Sequence, residues 1–243
     1  MLSIYAAGSL RYAFTELLAQ FETNYGIATQ VTLGPAGLLA QRIEQGDSVD
    51  LFASANLQHP QRLVEKGFAL SSQHFIDNTL CIVMRNVPEL TQQNWLSALA
   101  DERFILATST PNSDPSGDYT VQLFEQIEMY HQGIGFRLLQ RAKHLVGGAV
   151  QSNLPVNTFP AAYFIDKGEA DIFIGYRNNA AQLSAYDYLH IVDIPAPYTI
   201  DVHYGLCVLK AAQKDTQLLA DFILSQTGQQ SLTKWGFLTF KDV

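Results

Sequence analysis

Four short segments of the chain place small or hydroxyl-bearing residues where a predicted strand gives way to a predicted helix. They are residues 4–10, 31–37, 51–55 and 114–119. Glycine lets a ligand approach the main chain closely, and a helix start carries unpaired N–H groups with a partial positive charge. Several such turns side by side could hold a small anion with neutral donors. The pattern indicates a binding site rather than a catalytic one.

Individual residues within and beyond these turns suit hydrogen bonding to an oxyanion. Ser9 offers both a hydroxyl and an amide at a helix start. The dipeptides Ala36-Gly37 and Ser116-Gly117 each offer consecutive amides, which form an anion-binding nest. Tyr176 ends a predicted buried strand, and its phenol can point into a cleft. About five to eight such bonds, each worth roughly 1.5–3 kcal/mol, can offset the dehydration of a dianion.

Composition excludes several classes of protein. The chain has 243 residues, is 47% hydrophobic and carries a net charge of −8, so it can bury a large core but has no basic stripe for nucleic acid. Its longest apolar runs are as short as strands, so we expect no membrane span. The N-terminus leads directly into a strand pattern. We therefore expect either a mature form whose signal peptide has been removed or a cytosolic protein.

Apolar runs of strand length alternate with amphipathic helical patterns, which predicts an α/β fold with a mainly parallel sheet. Gly26, Gly46 and Gly67 each follow a helical pattern and are predicted to end it. The predicted strands are residues 2–6, 28–33, 49–53, 80–85, 104–107, 171–175 and 204–210. The predicted helices cover residues 10–24, 38–45, 59–66, 119–130, 136–143, 159–167, 213–224 and 228–235.

The strands at residues 80–85 and 204–210 break this alternation and predict two lobes. Residues 1–80 together with 207–243 form the first lobe and 81–206 the second, with the ligand cleft between them. The final helices are expected to pack back on the first lobe. If the two strands cross between the lobes side by side, Cys81 and Cys207 lie close together. They are then either a disulfide or two small buried hydrophobic residues.

The turn motifs also resemble those of a known family. Residues 6–10 (AAGSL), 50–55 (DLFASA), 114–119 (DPSGDY) and 168–176, with the closing Trp235-Gly236-Phe237, occur in the order found in molybdate-binding proteins. Over nearly its full length the chain resembles the periplasmic receptor of a molybdate ABC transporter, a type II periplasmic binding protein. The resemblance implies two Rossmann-like lobes joined by two crossing strands. It also implies a monomer that hands molybdate, tungstate or possibly sulfate to an ABC permease.

Position by position, the resemblance implies a set of ligand donors. Relatives often have serine at the Ala36 position, so one hydroxyl is missing here. Octahedral sites use carboxylates from both lobes. Asp114 lies in a comparable turn but Gly175 occupies the other position, which favours tetrahedral binding, and Arg177 could add a positive charge at the rim. The predicted ligand-binding residues are Gly8, Ser9, Ala36, Gly37, Ser54, Ser116, Gly117, Thr158 and Tyr176.

Other interpretations stay open at this point. Ser9 and Ser54 are also plausible helix caps, and Tyr176 a core tyrosine. The six histidines show no paired metal spacing, and no nucleophile or phosphate-loop motif is present, so we predict no enzyme, no cofactor and no bare metal ion. The alternative function is a cytosolic ligand-sensing regulatory module with the same two-lobed fold.

Overall fold

The computed structural model describes residues 1–148, 154–155 and 158–239. The chain forms two compact units, Met1–Asn78 with Val202–Val243, and Thr79–Asp201. We call them unit 1 and unit 2. Each holds a five-stranded sheet flanked by helices, so the predicted α/β class is confirmed. Among the described residues, no helix combines the length and the apolar character that a membrane span requires.

Strands and helices alternate along most of the chain. The strands are β1 (Leu2–Ala7), β2 (Thr29–Gly34), β3 (Leu51–Ser54), β4 (Ala69–Asn78), β5 (Leu80–Arg85), β6 (Leu106–Ser109), β7 (Lys143–Val146), β8 (Ile172–Tyr176), β9 (Leu189–Asp193) and β10 (Val202–Leu209). The helices are α1 (Arg11–Tyr25), α2 (Ala36–Glu44), α3 (Gln58–Glu65), α4 (Pro88–Thr91), α5 (Trp95–Ala100), α6 (Pro115–Tyr130), α7 (Ile134–Arg141), α8 (Pro160–Asp166), α9 (Ala180–Leu183), α10 (Thr216–Leu224) and α11 (Gln226–Lys234). Short 3-10 helices follow β1 (Gly8–Leu10) and β8 (Arg177–Asn179).

The sheet of unit 1 has the strand order β2-β1-β3-β10-β4. Strand β1 runs parallel to β2 and β3, whereas β10 runs antiparallel to β3 and β4. In this register Ala7 lies beside Gly34, and Ala6 lies beside Ala53. The carboxyl ends of β1, β2 and β3 therefore meet at one edge of the sheet, where open α/β sheets place their ligands.

Helix α1 shows how the apolar spacing builds the core of unit 1. Its residues Phe14, Leu17 and Phe21 share one face of the helix, and each is at most 1% exposed. Gly26 ends the helix in the left-handed conformation (φ 68°), as predicted. On the outer side, Trp235 stacks on Tyr12 with ring centroids 5.5 Å apart. The C-terminal helices therefore pack on unit 1, which confirms the prediction.

The sheet of unit 2 has the order β7-β6-β8-β5-β9. Strand β6 is parallel to β7 and β8, and β5 is antiparallel to β8 and β9. Val83, Phe164 and Phe173 belong to its buried core. As in unit 1, parallel neighbours (here β6 and β8) bring their carboxyl ends to one edge.

The strands predicted at residues 80–85 and 204–210 do not cross side by side between the lobes, so that prediction is wrong. The bounds of β5 match the prediction, but β5 pairs with β8 and β9 while β10 pairs with β3 and β4. Each strand completes the sheet of its own unit, since both have apolar faces that a central position buries, and they do not cross side by side. The chain instead passes between units at Asn78–Thr79 and Asp201–Val202. Cys81 and Cys207 are buried free thiols in different sheets.

Candidate functional site

Five of the predicted ligand-binding residues come together at the carboxyl edge of the unit 1 sheet. Gly8 and Ser9 follow β1 in a 3-10 helix, Ala36 and Gly37 open α2 after β2, and Ser54 is the last residue of β3. Because β1, β2 and β3 are adjacent and parallel, their ends bring these residues to one place. We call this group the unit 1 edge.

The hydroxyl of Ser9 is held by a buried tyrosine. Ser9 Oγ lies 2.7 Å from Tyr204 Oη, and Asn78 Nδ2 donates to the same phenol oxygen at 3.4 Å. Tyr204 is fully buried, with its ring edge-on to Phe75 and Phe237. The phenol therefore has little freedom, and it orients the half-buried Ser9 hydroxyl. Sequence analysis missed both Tyr204 and Asn78. The available signal for Tyr204 was a phenol in a mainly apolar strand, whereas Asn78 ends the mostly polar strand β4, which was not predicted.

The start of α2 offers main-chain donors. Pro35 is the N-cap residue of the helix, and it makes no side-chain capping hydrogen bond. The first amides of a helix have no intrahelical acceptor. Ala36 and Gly37 are both buried, so their amides lie in a poorly hydrated environment where a hydrogen bond to an anion is strong.

Gly8 leaves the unit 1 edge open. Its position is exposed, and among the atoms of the described residues a β-carbon added there would meet Gly34 O alone, at 4.0 Å. A larger side chain at residue 8 would therefore not strain the fold. It would cover the edge between the ends of β1 and β2.

Ser54 uses its hydroxyl inside its own turn. Ser54 Oγ donates to Asn56 Oδ1 at 3.1 Å and accepts from Asn56 N at 3.3 Å. Asn56 Oδ1 in turn accepts from His59 N at 3.0 Å, at the beginning of α3. Ser54 is fully buried. These contacts favour the capping interpretation of Ser54.

In unit 2, the predicted residues lie on three elements. Ser116 and Gly117 open α6, which follows β6, and both are buried. Tyr176 ends β8, the parallel neighbour of β6, and is 9% exposed. Thr158 is half-buried and lies two residues before the start of α8. Ser116, Gly117 and Tyr176 thus belong to the same sheet edge, which we call the unit 2 edge.

The turn at the start of α6 differs from the prediction. Ser116 N donates to Asp114 Oδ1 at 3.2 Å, and Gly117 N donates to Asp114 O at 2.8 Å. Both amides therefore already have acceptors, which corrects the expectation that this turn offers two consecutive donors to a ligand. The reason is that Asp114 caps the helix: its carboxylate accepts from Ser116 N and its main-chain carbonyl accepts from Gly117 N.

Gly117 is required for packing rather than for ligand access. A β-carbon at this residue would lie 2.6 Å from Pro111 N, 2.6 Å from the Thr110 carbonyl carbon and 2.7 Å from Ser109 O. Backbone atoms cannot move aside as a flexible side chain can. The close approach holds α6 against the loop that follows β6.

The carboxyl of Asp114 has a pKa above its ordinary value. Enclosure by the surrounding chain raises the pKa of its carboxyl to about 6, and the negative charge of Asp118 adds to the shift. The Ser116 amide and the Ser109 hydroxyl oppose it by donating to the carboxylate. Asp114 is thus mainly ionised at pH 7 and gains a proton in mildly acidic solution.

Two threonine hydroxyls near the unit 2 edge escaped sequence analysis. Thr108 Oγ1 and Thr110 Oγ1 are buried and have no hydrogen-bond partner among the described residues. Thr108 lies in β6 and Thr110 directly follows it. The run Thr-Ser-Thr at the end of a predicted strand was the available signal.

The predicted positive charge of Arg177 is paired. Its guanidinium forms an ion pair with Asp193, the last residue of β9, on the surface of unit 2. Arg177 N also donates to Thr79 O at 2.9 Å. The neighbouring carboxylate offsets the charge that Arg177 could otherwise offer to an anion.

Comparisons with known proteins agree with this fold. The family model of bacterial extracellular solute-binding proteins matches residues 2–238. The chain is 38% identical over 237 residues to the uncharacterized protein PM1146 of Pasteurella multocida (strain Pm70), covering 97% of each. The Azotobacter vinelandii periplasmic molybdate-binding protein is similar in structure, with a TM-score of 0.80 and 18% identity, covering 99% of this chain and 100% of that one. The sulfate-binding protein SubI of Mycobacterium tuberculosis H37Rv also gives a TM-score of 0.80, at 14% identity, covering 99% and 87%. The predicted fold of type II periplasmic binding proteins is confirmed.

Proposed function

The chain belongs to the bacterial extracellular solute-binding proteins, and from this membership we propose that it captures a tetrahedral oxyanion for an ABC permease. Molybdate and tungstate are the first candidates and sulfate the next. We propose that the protein acts in the periplasm as a monomer and that both units contribute donors to one solute. The molybdate-binding and sulfate-binding proteins with similar structures support this class of ligand.

One observation carries the proposal. The unit 1 edge carries a serine hydroxyl oriented by Tyr204 and the start of α2, which has no side-chain cap, and among the described residues no side chain comes within 4 Å of a β-carbon added at Gly8. Neutral hydroxyls and amides at a helix start stabilise an anion without a counter-charge. Such donors select by the size and geometry of the anion, because they are fixed in space and carry no net charge.

We assign the donors accordingly. Ser9 supplies its hydroxyl and amide, and Ala36 and Gly37 supply amides. From unit 2 we assign the hydroxyls of Ser116, Thr158 and Tyr176, and Thr110 joins them because its buried hydroxyl has no partner among the described residues. Ser54 acts indirectly, since its hydroxyl holds the turn before α3.

The charged groups of unit 2 favour tetrahedral over octahedral binding. An octahedral metal-oxyanion site needs carboxylate ligands, but Asp114 is engaged with Ser116 and Ser109 as a helix cap. Gly175 supplies no second carboxylate, and Arg177 is paired with Asp193. We therefore propose that hydrogen bonds, without direct metal–carboxylate bonds, hold the oxyanion.

The test is a panel of oxyanions measured by thermal shift and calorimetry at pH 7.5: molybdate, tungstate, sulfate, phosphate and chromate. A ligand at one hundred times its Kd adds about 2.7 kcal/mol to the stability of the folded protein, which is readily measured. Gly8→Leu should fold normally and lose at least about tenfold in affinity, a cost of about 1.4 kcal/mol. Ala19→Leu, which adds similar bulk on the exposed side of α1, should bind like wild type.

The outcomes separate the ligand class from its location. If molybdate or tungstate binds saturably and Gly8→Leu weakens that binding, the result supports both the oxyanion class and the location of the site at the unit 1 edge. A full panel without any binding contradicts the oxyanion class. Binding that is unchanged in Gly8→Leu contradicts the assignment of the unit 1 edge.

A further inference from the structure

A second cluster of chemically active side chains lies in unit 1, on β4 and β10. It consists of His74 and Asp77 from β4 and His203 from β10. The two strands are antiparallel neighbours, with His203 paired to Asp77 and Gly205 to His74. This pairing brings together two histidines that are far apart in the sequence, which is why their spacing predicted no metal site.

Three ligand atoms of the cluster converge. Asp77 Oδ1 lies 2.6 Å from His74 Nε2 and 2.7 Å from His203 Nδ1. The imidazole rings stand edge to face with centroids 5.1 Å apart. One nitrogen from each histidine and one carboxylate oxygen lie within 4.8 Å of one another. We call these residues the strand-pair cluster.

The cluster is accessible from solvent. The side chain of His203 is 47% exposed, that of His74 is 26% exposed and that of Asp77 is 18% exposed. Ligand atoms around a tetrahedral zinc ion stand about 3.3–3.6 Å apart, given metal–ligand distances of about 2.0–2.2 Å. Each imidazole would therefore withdraw from Asp77 Oδ1 by about 0.6–1 Å, a rearrangement of side chains that are at least partly exposed.

From this convergence we propose that the strand-pair cluster binds a divalent transition-metal ion. Two imidazoles and one carboxylate suit Zn²⁺, Ni²⁺, Co²⁺ and Cu²⁺, whereas Mg²⁺ and Ca²⁺ prefer all-oxygen sites. The metal takes the place of the hydrogen-bonding protons between the imidazoles and Asp77 Oδ1. Water completes its coordination on the exposed side.

Because of where the strand-pair cluster lies, a bound metal would affect the stability of unit 1. Asp77 lies next to the last residue of unit 1 before the chain enters unit 2, and His203 is the second residue after the chain returns. A metal bound by both strands cross-links the exit and re-entry of the chain in unit 1. Binding to the folded form alone raises the stability of that unit.

The experiment uses metal-free protein without an affinity tag, titrated with Zn²⁺ at pH 7.5 in the absence of oxyanion. We expect one bound ion per chain, a raised melting temperature, and no effect of Mg²⁺ at equal concentration. His203→Ala and Asp77→Asn should each weaken Zn²⁺ affinity by about tenfold or more. His144→Ala, which removes an exposed histidine on β7, should bind Zn²⁺ like wild type.

A second measurement avoids any variant that folds poorly. In the NMR spectrum of wild-type protein, Zn²⁺ should shift the ring signals of His74 and His203 and leave those of His144 unchanged. Absence of saturable Zn²⁺ binding overturns the proposal. So does binding of equal affinity in wild type and in folded His203→Ala, or shifts that spare both histidines. None of these outcomes depends on which oxyanion the protein transports.

Discussion

The side-chain oxygens of Ser9 and Tyr204 lie 2.7 Å apart and join the first turn after β1 to the last strand of the chain. Tyr204 is fully buried, and its phenol also accepts a hydrogen bond from Asn78. The strand that completes the unit 1 sheet therefore also orients the serine at the unit 1 edge.

We expect Tyr204→Phe to destabilise unit 1. The substitution leaves the nearly fully buried Asn78 amide and the Ser9 hydroxyl without this shared partner, at a cost of about 1–3 kcal/mol in the free energy of unfolding. Urea unfolding measures the loss, and calorimetry with the best oxyanion measures the accompanying fall in affinity.

The control for this change is Tyr198→Phe in unit 2. It removes a phenol that contacts His131 Nε2 at 2.7 Å on a partly exposed part of the surface. Its effect on oxyanion affinity should be negligible. Equal affinities for Tyr204→Phe and wild type would show that the phenol does not orient a ligand-binding serine.

Gly117→Ala should destabilise unit 2. The added methyl group would come within 2.6–2.7 Å of backbone atoms at the end of β6 and in the loop after it, so that segment or α6 has to move. Overpacking of this kind costs about 1–3 kcal/mol. Gly175→Ala is the matched control, since within the described part of the chain its methyl group meets Phe173 Cδ1 alone, at the ordinary contact distance of 3.8 Å. Both variants are compared by thermal unfolding. A lower melting temperature for Gly175→Ala than for Gly117→Ala would contradict this interpretation.

Asp114 should make stability depend on pH in a particular direction. Its pKa is about 6 in the folded protein, above its ordinary value, so the folded state holds a proton that the unfolded state has released. Stability from this group is therefore highest below about pH 4 and falls as pH rises to about 6. The total change is on the order of 2–3 kcal/mol.

Asp114→Asn isolates this contribution because asparagine can still accept from the Ser116 amide. The difference in unfolding free energy between wild type and Asp114→Asn should vary between pH 4 and pH 6 and be constant above pH 7. A difference that is flat across the whole range would mean that the carboxyl titrates normally.

The two cysteines should be inert in the folded protein. Burial raises the pKa of both Cys81 and Cys207 to about 12, so almost no thiolate is present at neutral pH. A thiol-reactive dye should label neither residue until urea is added, when it should label both. Adding a reductant should leave the melting temperature unchanged, and a reductant-sensitive melting temperature would indicate a disulfide.

The sequence predicted the elements whose signals are local. Strands β1 and β3 and helix α1 follow from apolar periodicity and from glycine at a helix end, and their bounds differ from the prediction by a few residues. Strand β4 was missed because it lies at the edge of its sheet, and it carries exposed residues such as Leu70 that hide its pattern. Its identity as a strand depends on pairing with β10, which no local window reveals.

The same distinction applies to the candidate site. The turns at Ser9, Ala36 and Ser116 were predictable because each lies at the end of a recognisable strand. The contact of Tyr204 with Ser9 and the convergence of His74 with His203 were not, because both depend on the register of β10 within the sheet. Long-range pairing sets these contacts, whereas the residue types alone are common in many proteins.

The strand order of unit 1 has a consequence for biosynthesis. Among the described residues, the partners of β4 in the sheet are β10 and a single bridge from Asp77 to Leu238, and both leave the ribosome after all of unit 2. Unit 2 carries its five strands in one uninterrupted stretch and can assemble as soon as that stretch has emerged. The nascent chain therefore has to keep an unpaired β4 from aggregating until β10 arrives, and release of the C-terminal segment is the step that completes the unit 1 sheet.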